Sequence, residues 1–297
     1  MSYKEEIMHK ITAKEETTLL DLLARAGYSR TKVKQFIKHR AISVRDVPLI
    51  RPDHPLRAGD VVSIKSEKDV DAEVMSCPGL AIVYEDEDII VIDKPAGLLT
   101  IASATEKVKT AYYRLTACLK ERSDGRERIF IVHRLDQGTS GLLVFARNEA
   151  VKRALQDGWS EVDKKYRVIV EGVPKKKKGK IAGYLCESKA LRVYSVEEGS
   201  EEGKYAETDY EVVKEGDGYA LLDVTLITGR KNQIRVHMAD MGHPVAGDKK
   251  YGAKTDPLRR LGLHAGYLAL SHPTTGNRME FTSPMPAKFH ALFKREA

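Results

Sequence analysis

The 297-residue chain is 42% hydrophobic and 31% charged, with 22 Gly, 11 Pro and a formal net charge of +7. That balance excludes a disordered or collagen-like chain, and at roughly 150 residues per domain the length predicts about two domains. The longest apolar runs, such as 89–92 and 141–146, fall far short of the roughly 18 residues that span a bilayer. Residues 1–12 lack the apolar stretch of a secretory signal, so a cytoplasmic protein with no membrane partner is expected. Cys77, Cys118 and Cys186 are odd in number and far apart. They argue against a disulfide framework or a Cys-type zinc site, and are expected as buried small hydrophobes in a reducing compartment.

The charge is concentrated. Between Arg25 and Arg57 nine Lys/Arg stand against two Asp/Glu, so this segment carries the whole +7 and the rest of the chain is neutral. Two readings fit: a polyanion-binding module, or a solvated basic surface. Thr17-Thr18 before the apolar run 19–26, with Gly27 after it, predict a short capped helix closed by glycine. Ser29 is placed to cap a second helix over 30–39. On it Val33, Phe36 and Ile37 form an apolar stripe, while Arg30, Lys34 and Lys38 recur every four residues on a different face. Short strands are expected at 41–44 and 61–65, the second after a turn at 58–60. Residues 66–78 mix charge, Ser and Pro without periodicity. The expected organisation is therefore a module over 1–70, a linker over 71–79 and a large domain over 80–297.

In the large domain, apolar runs at 81–84, 89–92, 128–132, 142–146, 166–170, 219–226 and 267–270 predict strands. Helices are expected at 107–120, at 148–157 with Asn148 as cap, and at 233–241 before Gly242. Strands outnumber helices without regular βαβ alternation, which predicts an α+β domain on a mixed, largely antiparallel sheet. The lysine-rich 175–180 is expected as a solvated hairpin tip, and Lys94-Pro95 as a loop anchor. Asp136 lies between two apolar strands with Arg134, Thr139 and Ser140 around it; it fits a turn-forming residue or a functional carboxylate. Arg230 and Arg235, at a loop-to-helix junction, fit a carboxylate or phosphate partner, or an ordinary helix surface. Tyr166 fits a core residue or a site residue. His133, His237, His243, His264 and His272 lack ligand spacing, so no metal is expected, and no Gly-x4-Gly-Lys-[Ser/Thr] loop is present.

Taken together these strings are specific. His133-Arg-Leu-Asp-Gln-Gly-Thr-Ser-Gly-Leu, Lys164-Lys-Tyr166, Thr228-Gly-Arg-Lys-Asn-Gln-Ile-Arg and Gly242-His-Pro-Val-Ala-Gly-Asp closely resemble the RluA-type pseudouridine synthases. The run from Val83 to Gly97 matches that family's domain start, and Leu263-His-Ala with His272-Pro273 its end. The resemblance spans about 80–285. Gln137 departs from it, since a basic residue often follows the Asp, and so does the stretch after Gly97, where many members have a His. Residues 29–38 and 56–62 resemble the small RNA-binding module of ribosomal protein S-four.

The resemblance implies isomerisation of uridine to pseudouridine in structured RNA, without metal or organic cofactor, by a monomer. Asp136 matches the catalytic aspartate, as nucleophile at C1′, nucleophile at C6, or base at the ribose. Tyr166 matches the tyrosine packed on the uracil, Arg235 the arginine paired with the carboxylate, and Arg134 the residue that fills the stack left by a flipped base. Leu263 matches a residue on the base's other face. Arg30, Lys34, Lys38 and Arg230 are expected on RNA phosphates. Large-subunit ribosomal RNA is favoured over transfer RNA; a non-catalytic RNA-binding or ribosome-assembly factor is the alternative.

Overall fold

The computed structural model describes residues 9–30, 33, 36–37, 42–44, 47–48, 51–64, 76–123 and 125–293. The chain divides into two compact units, Met1–Ser76 and Cys77–Ala297.

The first unit contains β1 (His9–Thr12), β2 (Thr17–Thr18), α1 (Leu19–Arg25), β3 (Ile42–Val44), β4 (Val47–Pro48), β5 (Pro55–Leu56) and β6 (Val61–Ile64). A four-stranded sheet runs β1-β6-β3-β4, and β2 pairs with β5. The Thr18 hydroxyl caps α1 by accepting the Asp21 N–H at 3.2 Å, and Gly27 leaves the helix at φ +92°. Leu19, Leu22 and Leu23 pack with Val33, Phe36, Ile42, Val62 and Ile64 into one core. Arg30, Val33, Phe36 and Ile37 are helical; Arg30 is exposed and Val33 and Phe36 are buried, as the stripe demands. Lys34 and Lys38 lie outside the described residues.

β7 (Ser76–Cys77) straddles the boundary, and the second unit continues with β8 (Leu80–Glu85), β9 (Ile89–Lys94), α2 (Ala111–Arg122), β10 (Phe130–Ile131), β11 (Ser140–Ala146), α3 (Glu149–Asp157), β12 (Asp163–Glu171), β13 (Lys178–Glu187), β14 (Val193–Val196), β15 (Lys204–Gly216), β16 (Tyr219–Leu226), α4 (Gln233–Asp240), β17 (Leu263–Ser271), β18 (Arg278–Thr282) and α5 (Ala287–Ala291). Among the described residues twelve strands form one mixed, largely antiparallel sheet. Its order is β14-β13-β15-β16-β12-β17-β11-β9-β8-β7, with β10 on β11 and β18 on β17. β17 pairs antiparallel with β12 and parallel with β11, through Ser140↔His264 and Gly141↔Ala265. Every residue of β11 is buried, which is what an unbroken apolar run buys in the middle of a sheet. Val151 and Leu155 of α3 pack on Ile89, Val91, Leu142 and Val144. Ile234 and Met238, one turn apart on α4, pack on Val168, Leu222 and Val224. Each such side chain contributes about 1.5–3 kcal/mol, and the second cluster fixes the helix that carries Arg235.

Several expectations shift. The helix expected from 107 begins at Ala111, because Thr110 is its cap (its hydroxyl accepts the Tyr113 N–H at 3.0 Å). The preceding residues are instead held in a turn by the Glu106 carboxylate, which accepts the N–H groups of Val108 and Lys109, both at 2.9 Å. The run 128–132 shortens to the two-residue β10, paired with Phe145 and Ala146. The lysine-rich 175–180 is not a hairpin tip: β12 and β13 are not neighbours, and Lys178 and Lys180 already belong to β13. There Lys178 and Lys180 pair with Glu211 and Glu207 of β15. The cysteines are the clearest correction. Cys77 and Cys118 form a disulfide across a sequence separation of 41, with Cα atoms 5.7 Å apart, while Cys186 is free and buried. All three are buried as expected, but spacing along the chain carries no trace of the fold that brings α2 against Cys77.

Candidate active site

The segment from His133 to Ser140 joins β10 to β11 and is fastened along its length. His133 Nε2 accepts the Val144 N–H at 3.0 Å, and its ring lies 4.5 Å from that of Trp159. Burial, with the Lys164 charge second, pushes the imidazole down to about 3, so it stays a neutral acceptor. The buried Thr100 hydroxyl donates to the Leu135 carbonyl at 2.8 Å and accepts the Leu135 N–H at 3.1 Å. Residue 136 begins a turn closed by the Thr139 N–H donating to the Asp136 carbonyl at 3.1 Å. At Gly138 a Cβ would lie 2.9 Å from Leu261 Cβ. The Gln137 carbonyl accepts the Gly97 N–H at 2.8 Å, and the Gln137 side-chain amide donates to the Gly97 carbonyl at 3.2 Å.

Beneath this clasp lies Lys94, fully buried, donating to the carbonyls of Leu98 (2.7 Å), Pro95 (3.2 Å) and Gln137 (3.4 Å). It is a loop anchor, and it ties the 95–98 loop to the 136–139 turn. Burial lowers its ammonium to about 7, against the opposing pull of the Asp136 charge. Behind the turn, Arg260 donates to the Ser140 hydroxyl at 2.8 Å, and Ser140 lies 2.9 Å from His264 Nδ1.

The Asp136 carboxylate is held asymmetrically. Oδ2 accepts from Asn232 Nδ2 at 2.6 Å and from an Arg235 terminal nitrogen at 3.0 Å. Oδ1 makes no hydrogen bond among the described residues. Arg235 donates two further bonds, from Nε and its other terminal nitrogen, to the two oxygens of Asp248 at 2.6 and 2.8 Å. The Asp248 side chain is 1% exposed and that of Asp136 24%, so one carboxylate anchors the guanidinium and the other faces outward. Burial disfavours the Arg235 charge, but Asp248 and Asp136 outweigh it and hold the guanidinium charged. Asn232 precedes α4 in the left-handed region, φ +53°, and its side chain does not cap the helix. Gln233 instead secures the approach: its amide oxygen accepts from the Thr228 hydroxyl (2.8 Å) and the Arg230 N–H (2.9 Å).

Tyr166 reaches the same place from β12, at an irregularity in the β12–β17 register between Lys165 and Tyr166. Such bulges re-aim a side chain. Its phenol is pushed well above the ordinary range by burial and then by the Asp136 charge, so it remains protonated at neutral pH. One cleft is lined by Arg134, Asp136, Tyr166, Arg230, Arg235 and Leu263, with Leu226 and Ile234 adding apolar wall. The structure thus brings together all six site residues that the sequence singled out in the large domain. Leu263 is buried, and Arg134 and Arg230 are exposed at the rim. Arg30 belongs to the first unit. The sequence reading missed Asn232 and Asp248. Asn232 and Asp248 stand inside quoted strings, but nothing in a string marks a left-handed residue or a carboxylate that closes on Arg235.

The chain matches the family described as RNA pseudouridylate synthase over residues 88–240. It is 35% identical to an uncharacterized RNA pseudouridine synthase of Aquifex aeolicus, over 99% of this chain and 98% of that protein. It is 34% identical to the protein of Vibrio cholerae named ribosomal large subunit pseudouridine synthase D, over 87% of this chain and 84% of that one. Among solved structures, human RNA pseudouridylate synthase domain-containing protein 4 superposes with a TM-score of 0.59 at 25% identity, covering 71% of this chain and 92% of that one. A cleft built on Asp136, Tyr166 and Arg235, in a sheet of this order, and sequence likeness along nearly the whole chain agree: the chain belongs to the RNA pseudouridylate synthase family and is an RluA-type RNA pseudouridine synthase, an isomerase.

Proposed function

We propose that Asp136 is the catalytic carboxylate and that the cleft converts specific uridines of large-subunit ribosomal RNA to pseudouridine. The observation that carries this reading is the one-sided clamp on Asp136. With Oδ2 occupied by Asn232 and Arg235, Oδ1 is the oxygen left to meet a nucleotide. Arg235 fixes the rotamer and keeps the carboxylate beside a permanent positive charge. Tyr166 and Leu263 offer flat and apolar surface to a uracil taken out of its helix, at a cost of a few kcal/mol in unstacking. Arg134 and Arg230 at the rim suit the RNA backbone. In the reaction the N1–C1′ bond breaks, C5 bonds to C1′, C5 loses its proton and N1 gains one. Atoms and electrons balance without an oxidant, reductant or energy donor.

Ribosomal RNA is favoured by the Vibrio cholerae relative's name and by the basic segment between Arg25 and Arg57. The same segment supports reading 1–70 as an S-four-like RNA-binding module, followed by a linker at 71–79 and the catalytic domain at 80–297. The substrate would place the enzyme, as a monomer, in the cytoplasm.

The test is a pseudouridine map of all cellular RNA, by carbodiimide labelling and primer stops, in cells with the gene, without it, and with Asp136→Asn in its place. One or a few ribosomal sites should vanish in both altered strains, while purified Asp136→Asn binds the same RNA as tightly as the parent. Loss confined to transfer RNA would overturn the substrate, and sites that persist with Asp136→Asn would overturn the catalytic role and favour an assembly factor. For the module, removal of residues 1–70 should weaken RNA binding and flatten its dependence on salt. An unchanged salt slope would remove the module from the binding argument.

A further inference from the structure

The turn that carries Asp248 also carries a residue that touches both donors of the catalytic carboxylate. Residues Lys249–Tyr251 form one helical turn, and the Tyr251 N–H donates to the Asp248 carbonyl at 3.0 Å. The Tyr251 side chain is buried. Its ring lies under the Arg235 guanidinium, 4.9 Å from centroid to carbon, a cation–π distance. Its hydroxyl lies 3.2 Å from Asn232 Oδ1 and 3.2 Å from the Val193 backbone nitrogen.

These contacts fix the direction of every hydrogen bond in a chain. The Val193 N–H can only donate, so the Tyr251 oxygen accepts there. The hydroxyl proton is then free for the Asn232 amide oxygen, which can only accept. With the oxygen of the amide committed to Tyr251, its NH2 faces Asp136 Oδ2 at 2.6 Å. A reversed amide would set its oxygen against a carboxylate. Burial holds the Tyr251 phenol above its ordinary range, so the donating proton is kept at neutral pH.

We propose that Tyr251 is a positioning residue for Asp136, its ring seating Arg235 and its hydroxyl orienting the Asn232 amide so that both donors close on the same carboxylate oxygen. The proposal rests on the isomerase reading of Asp136. Its effect belongs to the chemical step, because Tyr251 acts through Asn232 and Arg235 and not on the RNA.

The experiment uses the full-length enzyme in excess over [5-3H]uridine-labelled total RNA from cells lacking the gene, and follows tritium release from C5 in a single turnover. Tyr251→Phe keeps the ring and removes the hydroxyl. It should slow release at saturating enzyme by about tenfold, leave the half-saturating enzyme concentration within about twofold, and melt like the parent. Asn232→Gly suits the left-handed backbone while removing the amide, and should slow release at least as much. Added to Asn232→Gly, Tyr251→Phe should cost less than about twofold more, since the hydroxyl has lost the group it acts through. Losses that multiply in full, or a loss confined to half-saturation, would overturn the proposal. A readout without turnover separates this from failure of the catalytic reading. The Asn232 side-chain amide signals, assigned by their absence in Asn232→Gly, should shift and broaden in Tyr251→Phe; signals that do not move would overturn the orienting role.

Discussion

At the scale of single residues, the site is organised by buried charges that tie their own loops to distant segments. Among the described residues Lys94 has no carboxylate in hydrogen-bond contact, and it spends its donors on three loop carbonyls. Its folded value near 7 lies below its ordinary 10.5, so between those values the unfolded chain binds the extra proton. Stability from this group therefore rises with pH across about 7 to 10.5, and its full penalty is present below 7. Lys94→Met removes the titration. The melting temperature of the parent should climb relative to that of Lys94→Met between pH 7 and pH 9.5, and parallel curves would show that Lys94 titrates at its ordinary value. The sequence marked Lys94 as an anchor beside Pro95, but its place beneath Asp136 depends on the 136–139 turn, some forty residues away.

At the scale of elements, the legible ones were those whose own residues settle the matter. The unbroken apolar run of β11 and the Asn148 cap of α3, whose side chain accepts the Val151 N–H at 2.8 Å, need no distant partner to be read. The strands β13, β14, β15 and β18 were not anticipated. β14 is only four residues long, β15 is rich in charge, and β15 shows its alternation of buried and exposed positions only once β13 and β16 flank it. The close approach of β11 to β17 is likewise tertiary. Gly141 sits at φ +112°, and a Cβ there would lie 2.2 Å from the Ala265 carbonyl oxygen. Gly141→Ala should cost about 3 kcal/mol or more and lower the melting temperature by on the order of 10 °C. Gly183→Ala, in open space within β13, should leave it within about 2 °C. Equal effects of the two would remove the steric argument.

At the scale of the whole molecule, the disulfide between Cys77 and Cys118 staples the first residue of the second unit to α2. By chain entropy, closing a segment of 41 residues is worth about 4 kcal/mol. Oxidised parent protein should melt well above the Cys77→Ser/Cys118→Ser double variant, and reductant should bring the two together. Parent protein that melts alike with and without reductant would show that the bond does not form in solution. In a reducing cytoplasm the catalytic unit would have to rely on its apolar clusters alone, and the large buried sheet makes that feasible.

The class of fold, the identity of the chemistry and the six cleft residues of the large domain were legible in the chain, because short strings such as the one around Asp136 carry residue types in a fixed order and spacing. How those residues act on one another is set by the packing of the fold. Asp248, Tyr251 and Asn232 come from a turn and a helix start separated by more than a dozen residues, and they meet at Arg235 and Asp136 because α4 packs on the face of β12 and β16. The direction of a hydrogen bond, the burial of a lysine and the pairing of two cysteines are properties of that packing. A linear pattern records which groups are present; the low dielectric and fixed distances of the folded interior decide which charges are held, which oxygen is left free and which proton stays in place.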